Sequence, residues 1–271
     1  MADGSYRIIG GAPAPDAAHV AQLAQDLTPG ADFAADQDAA AADALTRLEA
    51  LCRARGADCG DLISDIRARL DRLAPQGLVP RRGLAGLFDG PGKRLKAFRA
   101  VFNDGATALS GLAADLRERI GAVDQRTGKL DALGDELRGA ITALSEQVAA
   151  ARERLTREDP EAETTLAFRD RIQALEARLT AAVQALPLVR ALQNADARAR
   201  DAIAQAPGVI DAWQADWKTH LGLDRKRPRK VRPAPDALAP ARDRIQATLT
   251  RIETEQTAAD RRRQEIAARL G

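Results

Sequence analysis

The sequence predicts an all-α fold: an elongated antiparallel helical bundle with long, coiled-coil-like helices. Three observations predict it. Apolar residues make up 45% of the 271 residues but aromatic residues only 3%, so the apolar share is mainly alanine and leucine, which are strong helix formers. Charged residues reach 30%, with 41 basic and 39 acidic side chains. Apolar positions also recur at helical spacing through most of the chain, which is typical of long amphipathic helices.

Residues 1–40 are the first of five predicted segments. They contain six Asp and one Arg, they are rich in Ala, Pro and Gly, and their periodicity is weak. This composition predicts a flexible acidic segment with one short helix over residues 19–27.

Residues 41–80 are predicted to form a helical hairpin. Leucines recur at helical spacing before and after a break at residues 56–60, which contains two glycines. Pro75 and Pro80 end the second helix, because proline cannot continue an unbroken hydrogen-bonded ladder. Two helices joined by a short glycine-bearing loop are typical of an αα-hairpin.

Residues 81–223 are predicted to form the long-helix core. A basic, glycine-rich connector over 81–92 precedes a helix over 93–155, whose apolar or small positions from Phe102 to Leu155 recur every 3.53 residues on average. This period lies between the 3.5 of a coiled coil and the 3.6 of a straight helix. At ~1.5 Å per residue, such an element would span roughly 95 Å.

Six glycines interrupt this pattern and leave two interpretations open. They mark bends or loops that divide 93–155 into two helices, or they mark places where a neighbouring helix approaches closely. The glycines are Gly105, Gly111, Gly121, Gly128, Gly134 and Gly139.

A second long helix is predicted from about residue 163 to Pro207-Gly208, with a mid-helix bend at Pro187. A short helix over 209–223 follows. It has Ile210, Trp213, Trp217 and Leu221 on one face.

Residues 224–240 contain four prolines and are predicted to be a basic, proline-rich linker. The last segment, 241–271, has apolar residues at alternating steps of four and three from Ile245 to Leu270, with polar breaks at Gln256 and Arg263. This heptad seam predicts a helix that packs on the rest of the chain or on a second copy.

No residue pattern indicates catalysis, a cofactor or a metal, so the chain is predicted not to be an enzyme. Neither a nucleophile elbow nor a zinc-protease motif is present, and Gly92-Lys93 lacks the spacing of a phosphate-binding loop. The two cysteines, Cys52 and Cys59, are far from both histidines in sequence, which excludes a zinc pattern.

The strongest local charge signal is a basic cluster, defined as the six cations of residues 225–232. Such a cluster neutralises phosphates or anionic lipid head groups with a salt-dependent affinity, or it serves only as a solubilising linker. No aromatic residue interleaves with the cations, so base stacking is not indicated. The candidate binding residues are Arg225, Lys226, Arg227, Arg229, Lys230 and Arg232.

Residues 186–223 resemble the toxic anion resistance family, which is also known as the TelA-like or tellurite resistance family. LPLVRALQN matches its proline-interrupted segment, which ends in Gln-Asn-Asn, and VIDAWQADWKTHLGL matches its tryptophan segment with a Leu-Gly-Leu ending. The connector at 81–92 and the helix around 129–147 are also similar. The family-motif residues, interpreted as structural, are Pro187, Arg190, Gln193, Asn194, Trp213 and Trp217.

Three departures indicate a divergent or shortened member. Ala195 stands where the family has a second asparagine, and no proline precedes Trp213. The long helix that follows Leu-Gly-Leu in the family is replaced here by the basic linker and the heptad segment.

The resemblance implies a non-enzymatic helical scaffold or adaptor acting in stress or envelope-associated resistance. We therefore expect a cytoplasmic protein, peripheral to the inner membrane, that binds other proteins through its amphipathic helices or self-associates. The alternative function is binding of an anionic membrane surface, or less favourably of nucleic acid, through the basic cluster.

Overall fold

A computed structural model describes residues 14–54, 56, 58–79, 90–224 and 234–270 of the chain. The described part is all-α, as predicted, with its long helices packed together. It contains six α-helices and a single 3-10 turn at Pro75–Leu78. The helices are α1 (Ala17–Asp26), α2 (Ala35–Arg53), α3 (Gly60–Arg72), α4 (Pro91–Leu155), α5 (Glu163–His220) and α6 (Pro235–Leu270).

The N-terminal prediction is partly wrong. Helix α1 overlaps the short helix expected over 19–27, and Asp16 caps it by accepting a hydrogen bond from the Ala18 amide at 3.0 Å. Val20 and Ala24 are buried against α4, however, and α2 begins before residue 40. Residues 17–40 are therefore mostly helical, because small apolar side chains find a packing surface on α4. Residues 1–13 lie outside the described residues.

Helix α4 shows whether its glycines divide residues 93–155 into two helices. It is one helix of 65 residues, so the division into two helices is wrong. A Cβ added at Gly105 would lie 2.8 Å from a methyl group of Leu73, which shows close packing of α3 on α4. Positions 111, 121, 128 and 139 face open space, so at these four glycines neither a loop nor a close neighbour is present.

Helix α5 does not end at Pro207-Gly208, as the sequence predicted, but continues to His220. A proline inside a helix removes one backbone hydrogen bond and costs about 3 kcal/mol. Residues on both sides of Pro207, including Ile203, Ile210 and Trp213, are buried in a shared core, and this packing offsets the cost.

Helix α6 begins inside the segment that was predicted to be a linker. Pro235 is its first residue, where the missing amide hydrogen costs nothing, and Pro240 is accommodated within the helix. The predicted linker 224–240 is therefore too long. The heptad seam is confirmed as a buried face, from Ile245 through Arg263 to Ile266. The seam is therefore covered within this chain.

Contacts divide the chain into two compact units, of which unit 1 is made from three chain segments and unit 2 from two. Unit 1 comprises residues 1–54, 127–194 and 262–271, and unit 2 comprises residues 55–126 and 195–261. Helix α2 belongs to unit 1 and α3 to unit 2, so the predicted hairpin 41–80 is not a unit of its own. The sequential domains expected from the sequence thus differ from the units, since α4, α5 and α6 each contribute to both.

Within each unit, α4 and α5 run antiparallel. In unit 1, Arg152 contacts Glu176 and Asp131 contacts Gln193; in unit 2, Asp124 contacts Arg200. The core of unit 2 also includes α3 and most of α6, whereas the main core of unit 1 includes α2 and the end of α6.

Candidate functional site

Both tryptophans lie in one aromatic cluster in the core of unit 2. Trp213 and Trp217 of α5 pack with Phe98 and Phe102 of α4, and neighbouring ring centroids are 5.1 to 6.0 Å apart. Both indoles are almost fully buried. Tilted rings at these distances attract each other beyond the area that they bury. Two of the family-motif residues are therefore core residues that join α4 to α5.

The two indole groups differ in their hydrogen bonding. Trp217 Nε1 donates to the carbonyl of Leu238 at 3.0 Å, which ties α5 to the first turns of α6. Trp213 Nε1 is buried and has no acceptor within the described part of the chain. A buried donor without an acceptor is a net cost to stability, so Trp213 stabilises unit 2 through its ring alone.

The Leu-Gly-Leu motif is the C-terminal stop of α5. Gly222 has φ 65°, the left-handed conformation that favours glycine. The Gly222 amide donates to the Thr219 carbonyl at 3.0 Å and the Leu223 amide donates to the Lys218 carbonyl at 2.9 Å, as in a Schellman motif. The carbonyl of Leu221 accepts a hydrogen bond from Arg99 Nε at 2.9 Å. This hydrogen bond connects the C-terminal end of α5 to the start of α4.

Gln193 and Asn194 differ in their contacts within unit 1. Gln193 Nε2 donates to the Asp131 carboxylate on α4 at 2.6 Å, so this side chain joins two helices. Asn194, by contrast, is exposed, as are Pro187 and Arg190. These three positions are spaced by three and four residues, so they form one stripe on the outer face of α5.

A buried ion pair in unit 2 was missed by the sequence analysis. Arg126 Nε lies 3.0 Å from Asp196 Oδ2, and their side chains are 11% and 0% exposed. The signal was present in the sequence, because Asp196 continues the apolar stripe of Val189 and Leu192 one turn later.

A carboxylate clamp stabilises the start of α2 in unit 1. Asp38 accepts hydrogen bonds from Arg171 Nη1 and Arg178 Nε of α5, both at 2.9 Å, and Arg171 Nε also donates to the Phe33 carbonyl at 2.9 Å. Burial alone would raise the pKa of Asp38, but the hydrogen bonds from the two guanidinium groups outweigh it and lower the pKa below its usual value.

The two cysteines are buried, lie in different units and are not joined by a disulfide. Burial raises the pKa of the Cys59 thiol, which disfavours the reactive thiolate. Within the described ranges, no group of three or more His, Cys, Asp or Glu side chains is arranged to hold a metal ion. No helix in those ranges has an apolar stretch long enough to cross a bilayer.

The basic cluster of residues 225–232 and the connector at 81–89 lie outside the described residues. The structure does place the residues that flank the cluster. Residue 221 contacts Arg99 near the start of α4, and Leu238 of α6 contacts Trp217. Exposed lysines at positions 93, 96 and 218 lie on these same helix ends of unit 2. Lys218 lies on the end of α5 that precedes the cluster in sequence, and Lys93 and Lys96 lie on the start of α4.

No protein-family model matches the chain, and neither a curated protein nor a solved structure matches it.

Proposed function

We propose that this protein is a non-enzymatic helical scaffold or adaptor of the toxic anion resistance type, acting in stress or envelope-associated resistance. The observation that supports the proposal is the structural role of the residues that resemble the family motif. Gln193, the two tryptophans and Gly222 connect or end helices, which is the role expected of a structural motif rather than of a catalytic one.

In this proposal, the exposed residues of the family motif form the surface that contacts a partner protein. Arg190 and Asn194 form no hydrogen bond or ion pair with any other described residue. Side chains on a rigid helix keep a fixed spacing at no further cost in backbone entropy, which suits recognition of another protein. The partner would therefore contact the outer face of α5 in unit 1.

Two linked experiments test the scaffold proposal. A strain that lacks the gene is expected to grow less well on tellurite, and the wild-type chain should restore growth. The double variant Arg190→Ala/Asn194→Ala should fold normally, fail to restore growth and lose co-purifying partner protein. Arg198→Ala, another exposed arginine on α5, is the matched control and should behave as wild type. Undiminished growth of the deletion strain under tellurite and related envelope stress would refute the proposal.

The second candidate function is binding of an anionic membrane surface through the basic cluster. Exposed Lys218, on the end of α5 that leads into the cluster, favours it, because it adds positive charge next to the cluster in the sequence. Vesicles with and without phosphatidylserine, and duplex DNA, should be compared at two salt concentrations. Retention on anionic vesicles at low salt, lost when all six cations become glutamine, is expected. If neither ligand is retained, the cluster is only a linker.

A further inference from the structure

Unit 1 contains an open groove between α2 and α4 that no role described above uses. Its volume is about 390 Å³, within the range of small-molecule sites, which begins near 300 Å³. The floor is apolar, and alanines on both helices leave space above it. The residues that line it are Arg47, Ala50, Leu51, Lys129, Ala132, Leu133 and Glu136.

The charges at the rim of the groove are not equivalent. Arg47 contacts Glu136 across the groove and also lies 2.8 Å from Asp43 on its own helix. One guanidinium group is therefore shared by two carboxylates, so Arg47 is not available to an anionic ligand. The side chain of Lys129 is exposed and has no hydrogen-bond or ion-pair partner among the described residues. The groove thus combines an apolar floor with one ammonium group that no described carboxylate contacts.

From this combination we infer that the groove binds a free medium-chain carboxylic acid, with the alkyl chain on Leu51 and Leu133 and the carboxylate on Lys129. Burial of the alkyl chain supplies most of the affinity, since each methylene removed from water is favourable. The ammonium group of Lys129 adds a charge-assisted contact that a neutral alcohol of the same length cannot make equally well. This inference is independent of the proposed scaffold function.

Calorimetric titration of the full chain with decanoate and with decan-1-ol tests the inference. Decanoate is expected to bind saturably at one site per chain, more tightly than decanol, and to displace the fluorescent probe anilinonaphthalene sulfonate. Raising the salt concentration should reduce the preference for decanoate, because the ion pair is solvent-exposed.

Matched variants locate the site. Lys129→Gln should weaken decanoate binding about threefold to fivefold at low salt and leave decanol binding unchanged. Ala132→Leu, which fills the groove at an exposed helix position, should weaken both ligands about tenfold. Lys96→Gln, the same change on α4 in unit 2, should alter neither. Circular dichroism melting should show that all three variants remain folded.

Three results would overturn the inference. They are an absence of saturable decanoate binding, equal affinity for decanoate and decanol, and equal loss of binding in Lys129→Gln and Lys96→Gln. Decanoate binding that Ala132→Leu leaves unchanged would place the ligand elsewhere and would also count against this site.

Discussion

Units 1 and 2 share the helices α4, α5 and α6 but stabilise them by different chemistry. Unit 2 buries four aromatic rings and the ion pair between Arg126 and Asp196. The main core of unit 1 has no buried aromatic ring among its described residues and consists mostly of leucine, alanine and other aliphatic residues, with the Asp38 clamp at its margin. Large rings and a buried ion pair concentrate part of the stability of unit 2 in single side chains, whereas the aliphatic contacts of unit 1 spread it over many small ones.

The largest loss of stability is expected when the ion pair in unit 2 is broken. Asp196→Ala should lower the free energy of unfolding by about 3–5 kcal/mol, because it leaves the Arg126 charge buried without this carboxylate. Urea unfolding followed by tryptophan fluorescence measures it. The fluorescence reports unit 2, since both tryptophans of the chain lie there.

A double variant tests whether the loss of stability comes from the unpaired buried charge. Arg126→Met/Asp196→Leu removes both charges, so it should be more stable than Asp196→Ala alone. If the double variant is the less stable of the two, the pair itself contributes net stability and the desolvation argument fails.

The two tryptophans should differ when each is changed to phenylalanine. Trp217→Phe should cost about 1–2 kcal/mol more than Trp213→Phe, because it removes the buried hydrogen bond to the Leu238 carbonyl, while Trp213→Phe removes an N–H that has no acceptor among the described residues. The remaining tryptophan reports urea unfolding in each variant. Equal losses would mean that the hydrogen bond to Leu238 contributes no net stability.

The free energy of unfolding should depend on pH through the Asp38 clamp of unit 1. Asp38→Asn should lower stability at pH 7 by about 1 kcal/mol, through loss of charge-assisted hydrogen bonds. The pKa of Asp38 is lowered in the folded state, so the contribution is complete above the unfolded value near pH ~4 and is lost as pH falls through the folded pKa. Thermal unfolding followed by circular dichroism should therefore show wild type and variant converging in acid. A constant difference down to pH ~2 would exclude titration of Asp38 as the cause.

The smallest effects are expected at two glycines of α4, with opposite signs. Gly139→Ala in unit 1 faces open space, so it should stabilise the chain by about 1 kcal/mol through helix propensity. Gly105→Ala in unit 2 would place its methyl group against buried Leu73, so overpacking should outweigh propensity and cost about 1 kcal/mol. Chemical denaturation measures both. Stabilisation by both substitutions would show that Leu73 yields without strain.

Much of the fold follows from local patterns in the sequence. Periodicity predicted the long helix α4, the buried faces around Trp213 and Trp217, and the heptad seam of α6, because side chains at helical spacing must share a face. The errors lie at prolines and helix ends. Pro207 and Pro240 were predicted to interrupt a helix, as proline does in an isolated helix. Here the buried residues beside them offset the free-energy cost of the lost backbone hydrogen bond.

The candidate sites depend more strongly on contacts between helices that are distant in sequence. Gln193 was interpreted as structural, but its partner Asp131 on α4 could not be named from the sequence, because antiparallel register depends on how both helices pack. The groove beside Lys129 left no sequence pattern, since it arises where alanines of α2 and α4 lie opposite one another.

Local sequence patterns specify that this chain is helical and which face of most helices is apolar, because both properties depend on residues within a few turns of each other. Which apolar faces meet is specified by the packing of helices that are distant in sequence. This packing assigned α2 and α3 to different units, used the α6 seam within the chain, and paired Asp196 with Arg126. The physical reason is that apolar burial is non-directional: it requires each stripe to be covered but does not specify by which partner.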